Sequence, residues 1–131
     1  MWAFTGLHDP RWRLLEKYLV LLQDPANPTP QKLGSFHQKT WGAYLLKGEL
    51  FVKRCEANGR PSDYPDMGCS FETFTNADFL ELETLGPLVL LPPGESLTHV
   101  ERWSLHRGVQ VTGWTDQELD RAVAPLASAG W

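Results

Sequence analysis

CSFETFTNADFLELETLGPLVLL, residues 69 to 91, is the stretch whose reading decides the fold. Aromatic, branched and polar residues alternate through Phe71–Thr75 and again through Phe79–Thr84, and Asn76-Ala77 interrupts them with turn chemistry. A period of two is the mark of β-strands. It predicts two strands, 69–75 and 78–91, with Phe79, Glu81 and Glu83 on one face of the second and Leu80, Leu82 and Thr84 on the other. After the turn Pro92-Pro93-Gly94-Glu95, a third strand is expected over 96–106. It would set Leu97, His99, Glu101, Trp103 and Leu105 on a common face.

Working outward, WGAYLLKGELFVKRC (41–55) reads as a β-hairpin turning at Lys47-Gly48, where glycine supplies positive φ. EANGRPSDYPDMG (56–68) is a loop. DPRWRLLEKYLVLLQDP (9–25) is ambiguous: Asp9-Pro10 is a good helix start, whereas Tyr18 to Leu22 suits a buried strand. Three prolines at 25, 28 and 30 end that element. In the tail, Thr115-Asp116-Gln117-Glu118 has the form of a capping box, and Leu119, Val123 and Leu126 recur at helical spacing, predicting one short helix over about 115–128. The fold class expected is mainly β, an antiparallel β-sandwich with one C-terminal helix, in a single domain over 1–131.

The 131 residues carry 16 acidic and 12 basic side chains, a net charge of −4 without long runs, so the electrostatic footprint of a nucleic-acid-binding protein is missing. No stretch approaches the roughly 20 apolar residues of a membrane span, and MWAFTGLHDP lacks the layout of a signal peptide, so a soluble cytoplasmic protein is expected. Cys55 and Cys69 are too few for a zinc site and are read first as two buried free thiols, with a disulfide across the intervening Gly/Pro loop as the alternative. His8, His37, His99 and His106 lack metal-ligand spacing, and there is no phosphate loop, dinucleotide fingerprint or nucleophile elbow. No metal and no cofactor are expected.

Glu81 and Glu83 stand out. Two residues apart on a strand, they lie about 6.5 to 7 Å apart and can flank a small polar ligand such as a sugar ring. Equally, a strand in a half-exposed sheet turns such residues to water. The aromatic residues on expected neighbouring strands, Trp41, Tyr44 and Trp103, favour carbohydrate, whose C–H faces pack on rings. Glu72, Asn76 and Lys53 are further candidates for hydrogen bonds to sugar hydroxyls, and His37 is the candidate general acid. Each has a plainer reading: Asn76 as turn chemistry, Lys53 as a solvated side chain, aromatic strand residues as core.

FTNADFLELETLGPLVLLPPGESLTHVERWSL (74–105) resembles the C-terminal part of galactose mutarotase-like proteins, a superfamily that includes the aldose 1-epimerases. The likeness is nearer to an uncharacterised bacterial branch of it. The similarity extends more softly upstream through PQKLGSF and WGAYLLKGELFVKR. It implies half of a large β-supersandwich, a strand rather than a helix for residues 18–23, and Glu83 as the carboxylate that takes the anomeric proton while a histidine protonates the ring oxygen. Family members are roughly twice as long, and earlier segments supply their histidines. The resemblance therefore implies a carbohydrate-binding module that is not an efficient epimerase alone. One alternative is an aldose 1-epimerase completed by oligomerisation, with His37 or His99 of one subunit near Glu83 of the other. Another is a ligand-free interaction module. A half sandwich leaves sheet edges bare, so a homodimer is the expected assembly.

Overall fold

The computed structural model describes residues 1–129 and 131. The chain is mainly β, as expected. Its strands are β1 (Trp12–Leu14), β2 (Leu19–Leu21), β3 (Gln31–Ser35), β4 (Lys39–Leu46), β5 (Glu49–Glu56), β6 (Phe71–Thr75), β7 (Leu80–Thr84) and β8 (Glu101–Arg107). They form three antiparallel sheets, β1-β2, β3-β6-β7 and β4-β5-β8. Short helices over Asp116–Ala122 and Ala124–Ser128 close the chain. Among the described residues no helix is long and apolar enough to cross a membrane.

The β4–β5 hairpin turns where the sequence indicates. Lys47 (φ 50°) and Gly48 (φ 82°) both take positive φ, the pattern of a two-residue turn whose twist matches its strands. β5 is then paired on both sides, to β4 and to β8. On one face its Leu50 and Val52 form the core with Val109, Leu119, Val123 and Ala127, against which Tyr18, Trp41 and Leu45 pack. On that face too, the buried Arg54 donates from Nε to the Ala127 carbonyl (2.6 Å) and from Nη2 to the Leu126 carbonyl (2.5 Å). Those are carbonyls of the last helical turn, which have no partner within the helix and attract a cation.

The opposite face of this sheet meets β3-β6-β7. In register, Phe71, Thr73 and Thr75 of β6 lie opposite Thr84, Leu82 and Leu80 of β7 and share the inner face. Lys53 reaches across to donate to the Leu82 carbonyl at 2.9 Å. Glycine at position 42 lets the sheets approach: a Cβ there would stand 2.2 Å from Cζ of Phe71. Cys55 and Cys69 are free and buried, as read from the sequence.

Several elements differ from expectation, each for a local reason. Of the two readings left open for residues 9–25 the strand is the one present, as β2 at Leu19–Leu21. The helix start at Asp9-Pro10 is not used, because the Asp9 carboxylate accepts from the backbone N–H and the guanidinium of Arg11 (3.0 and 2.9 Å), making a turn that leads into β1. The strand expected over 78–91 ends at Thr84, and the one expected from 96 begins at Glu101, so Leu97 and His99 precede the strand. The tail is two helices, since Pro125 restarts the second after Val123. Only half of the capping box forms: Thr115 Oγ1 accepts from the Glu118 N–H (3.3 Å), while the Glu118 carboxylate turns to Thr112 and Gly113.

Gly42→Ala is expected to destabilise the protein by about 1–3 kcal/mol, because the methyl group must displace Phe71 from the sheet interface. A urea titration checks this, as a lower midpoint with an unchanged slope.

Candidate functional site

Pleat alternation sends Glu81 and Glu83 outward, to the face of β3-β6-β7 that turns away from the other sheet. There Glu72 lies directly opposite Glu83, and Phe74 opposite Glu81. Facing carboxylates repel, and Lys32 of β3 relieves the repulsion. Its Nζ lies 2.7 Å from Oε2 of the fully buried Glu72 and donates to Glu83 (Oε1 at 3.1 Å), beneath the ring of Trp2 at 4.9 Å. The approach to Glu72 is close but poorly aligned, so neither of its oxygens has a well-formed hydrogen bond. Burial pushes the Glu72 carboxyl above its ordinary value, and the attraction of Lys32 only partly opposes this. Glu81 is raised as well, by desolvation, then by the charge of Glu83 and a hydrogen bond with it. This is an internally compensated cluster. The aromatic neighbours of Glu81 are Phe74 and Phe79, in contact with each other at 5.7 Å.

The other predicted residues are not gathered around Glu83. Asn76 performs turn chemistry, its Oδ1 accepting from the N–H groups of Asp78 (2.8 Å) and Phe79 (3.1 Å). His37 and Trp41 line a cleft along β4 that Glu83 does not reach. Trp41 packs on Tyr18 on the helix side of its sheet, whereas Trp103 stands on the opposite face, so the expected aromatic platform is divided between two sides of one sheet.

Lys53 and Trp103 do meet, on neighbouring strands in register. With Tyr44, Phe51, Leu80 and Leu82 they line a hollow of about 280 Å³ between the sheets. The Trp103 ring meets Phe51 edge-on at 5.7 Å and is itself 67% exposed. At its rim stands Glu101, which sequence reasoning did not single out. Its Oε1 pairs with Lys53 (3.1 Å) and accepts from the Thr84 hydroxyl, and its Oε2 accepts from the Trp103 indole N–H (2.9 Å). Burial opposes ionisation, but these three donors outweigh it and hold the Glu101 carboxyl below its usual range. Thr84 has one hydroxyl proton, which goes to Glu101. His99, at 2.9 Å from the same hydroxyl, therefore donates from Nε2 and leaves Nδ1 as an acceptor in its neutral form. The buried thiol of Cys55 lies 3.8 Å from that Nε2 and is pushed up by desolvation.

The donor and acceptor inventory shows what the rim can still bind. Lys53 has three N–H donors, of which the Leu82 carbonyl and Glu101 take two. Glu101 has about four lone-pair sites and uses three. One donor on Lys53 and one acceptor site on Glu101 thus remain beside an exposed indole face. The alternation His99, Glu101, Trp103 was the available signal in the sequence. Its partners Thr84 and Lys53 come from other strands. Among the described residues no group of side chains has the makings of a metal site.

Comparison with protein-family models, with curated proteins and with solved structures gives no match for this chain.

The Glu72 carboxyl provides a test of the outer cluster. Its folded pKa lies above the ordinary 4.5, so the folded state holds that proton more tightly than the unfolded chain. Its contribution to stability is therefore present at low pH and lost as pH rises from about 4.5 through the folded value. Glu72→Gln is expected to remove this slope. The difference between variant and wild-type urea midpoints grows in favour of the variant as pH increases through that window. Glu101→Gln, with the opposite shift, is expected to lose relative stability below it, as pH rises from the lowered folded value of Glu101 to about 4.5.

Proposed function

We propose that this chain is a carbohydrate-binding module whose ligand lies in the hollow between the sheets, with the sugar's C–H face against Trp103. The observation that carries the reading is the exposed Trp103 indole bordered by Lys53 and Glu101, each with hydrogen-bonding capacity to spare. Flat apolar area beside fixed donors and acceptors is what a pyranose needs, since one face of the ring is aliphatic and its edge is hydroxylated. The volume of about 280 Å³ suits one sugar ring. The resemblance of residues 74–105 to mutarotase-like proteins points to the same class of ligand.

An epimerase working through Glu83 and His37 is less well supported. His37 belongs to the β4 cleft and Glu83 to the outer face, where Lys32 engages its carboxylate. The neighbour of Glu83 best placed to supply a proton is Glu81, and losing a positioned acid typically costs 10²- to 10⁴-fold in rate.

Tryptophan fluorescence titrated with aldohexoses and aldopentoses tests the proposal. Binding is expected to perturb the emission, to weaken by about 10- to 100-fold in Trp103→Ala, and to survive Glu83→Gln. Silence across the panel overturns the proposal, and loss in Glu83→Gln alone would move the ligand to the outer face. Polarimetry on fresh α-glucose is expected to show no acceleration sensitive to Glu83→Gln.

A further inference from the structure

A second cavity, of about 670 Å³, follows β4 on the side that has no strand partner. Residues from both faces of β4, Trp41 through Leu46, enter its lining. β2 walls one side with Val20 and Leu22, and the β3-β6-β7 sheet walls the other with Leu33, Phe71 and Leu82. Among the described residues the backbone of residues 41–46 makes no hydrogen bond apart from those to β5. An eight-residue strand thus presents alternate N–H and C=O groups, unpaired, to a largely apolar cleft. Buried backbone groups need partners, and a bare edge of this kind is a template for one more strand.

The same chain carries a segment of the right kind. Leu88, Val89, Leu90 and Leu91 are all exposed, Leu90 at 97%, and no hydrogen bond reaches the N–H groups of residues 89–91 among the described residues. Leu88 is tied by its N–H to the Asp63 carbonyl (2.7 Å), and the rest of the run projects from the body. Pro87 and Pro92-Pro93 bound it, so it can pair over four residues, roughly 13 Å of strand, within the roughly 26 Å of β4. Charge agrees with this pairing. The cleft is lined by Lys17, His37 and Lys39 and by no carboxylate, in a chain of net charge −4. Lys17 is occupied by Asp120 at 2.6 Å, but Lys39 has no carboxylate within ion-pair distance among the described residues, and Glu95 follows the apolar run.

We propose that residues 88–91 of one copy add as a strand to the free edge of β4 in a second copy, reciprocally, giving a two-fold dimer. Each contact buries a leucine-rich run in the cleft and pairs backbone groups that are otherwise bare. The cleft adjoins the Trp103 hollow, with Tyr44, Leu80 and Leu82 lining both, but the dimer is tested by association and the sugar site by fluorescence, so failure of one is distinguishable from failure of the other.

Sedimentation equilibrium of the full chain, with hydrogen exchange of the β4 amides, tests the proposal through Leu90→Asp. Because this side chain is almost wholly exposed, the variant is expected to keep the wild-type circular dichroism and unfolding slope. Wild type is expected to be a dimer with slow exchange at the β4 amides that β5 leaves unpaired. Leu90→Asp should weaken association by about 100-fold or more, two copies of the side chain being lost per dimer, and make those amides exchange fast, while Leu90→Val keeps both properties. A wild-type monomer at high micromolar concentration overturns the proposal and leaves the cleft to another polypeptide. A dimer that survives Leu90→Asp, or one whose loss leaves β4 protection unchanged, overturns it as well.

Discussion

Everything in this molecule depends on β5 being enclosed on four sides. It pairs with β4 and β8 through its backbone, faces the C-terminal helices through Leu50, Val52 and Arg54, and faces the second three-stranded sheet through Phe51, Lys53 and Cys55. The two-residue repeat divides these duties cleanly. A one-residue slip in register would bury Lys53 among the helices and turn Leu50 and Val52 towards the other sheet. Arg54 is the costly element of the arrangement, a guanidinium withdrawn from water, and it is held by helix-terminal carbonyls and the Ser104 hydroxyl rather than by a carboxylate. Its cost is offset because those carbonyls also need donors.

The two acidic centres illustrate how the same side chain differs with its surroundings. Glu72, wholly buried, has one cation nearby and no aligned donor, and its carboxyl is driven towards the neutral form. Glu101, less buried, receives a hydroxyl, an ammonium and an indole N–H, and is held as an anion. The second arrangement suits recognition, because a fixed anion with one lone pair free accepts from a hydroxyl without rearranging. The first is a packing arrangement: Lys32 resolves a clash between facing carboxylates, and the N-terminal segment lies over it through Trp2 and through Thr5, whose hydroxyl donates to the Lys32 carbonyl.

The edges of the sheets carry a different consequence. β4 and β8 both end the larger sheet, and the apolar run at 88–91 lies outside any sheet. Prolines on either side keep that run short, which limits pairing with arbitrary partners. The cleft along β4 supplies apolar walls that an ordinary edge strand lacks.

Much of the fold was legible locally. The alternation of residues 71–75 and 80–84, the Lys47-Gly48 turn and the Thr115 cap rest on interactions within a few residues, and each stands in the structure. The orientation of Leu80, Leu82 and Thr84 to one side and Glu81 and Glu83 to the other also followed from pleat geometry alone. The lengths of the strands did not: hydrophobic runs such as Leu88–Leu91 look the same whether or not a neighbouring strand exists to pair with them. Nor did the composition of the site. Trp41 and Trp103 look equivalent as aromatic strand residues, yet they lie on opposite faces of one sheet, because their parities relative to β5 differ. The sequence by itself determined the period, the turns and which side chains share a strand face. Only the tertiary structure decided which faces meet, and so that Lys53, Thr84 and Glu101 form one centre while Glu83 belongs to another. Contacts between residues far apart in the chain are set by sheet packing, and no local pattern encodes it.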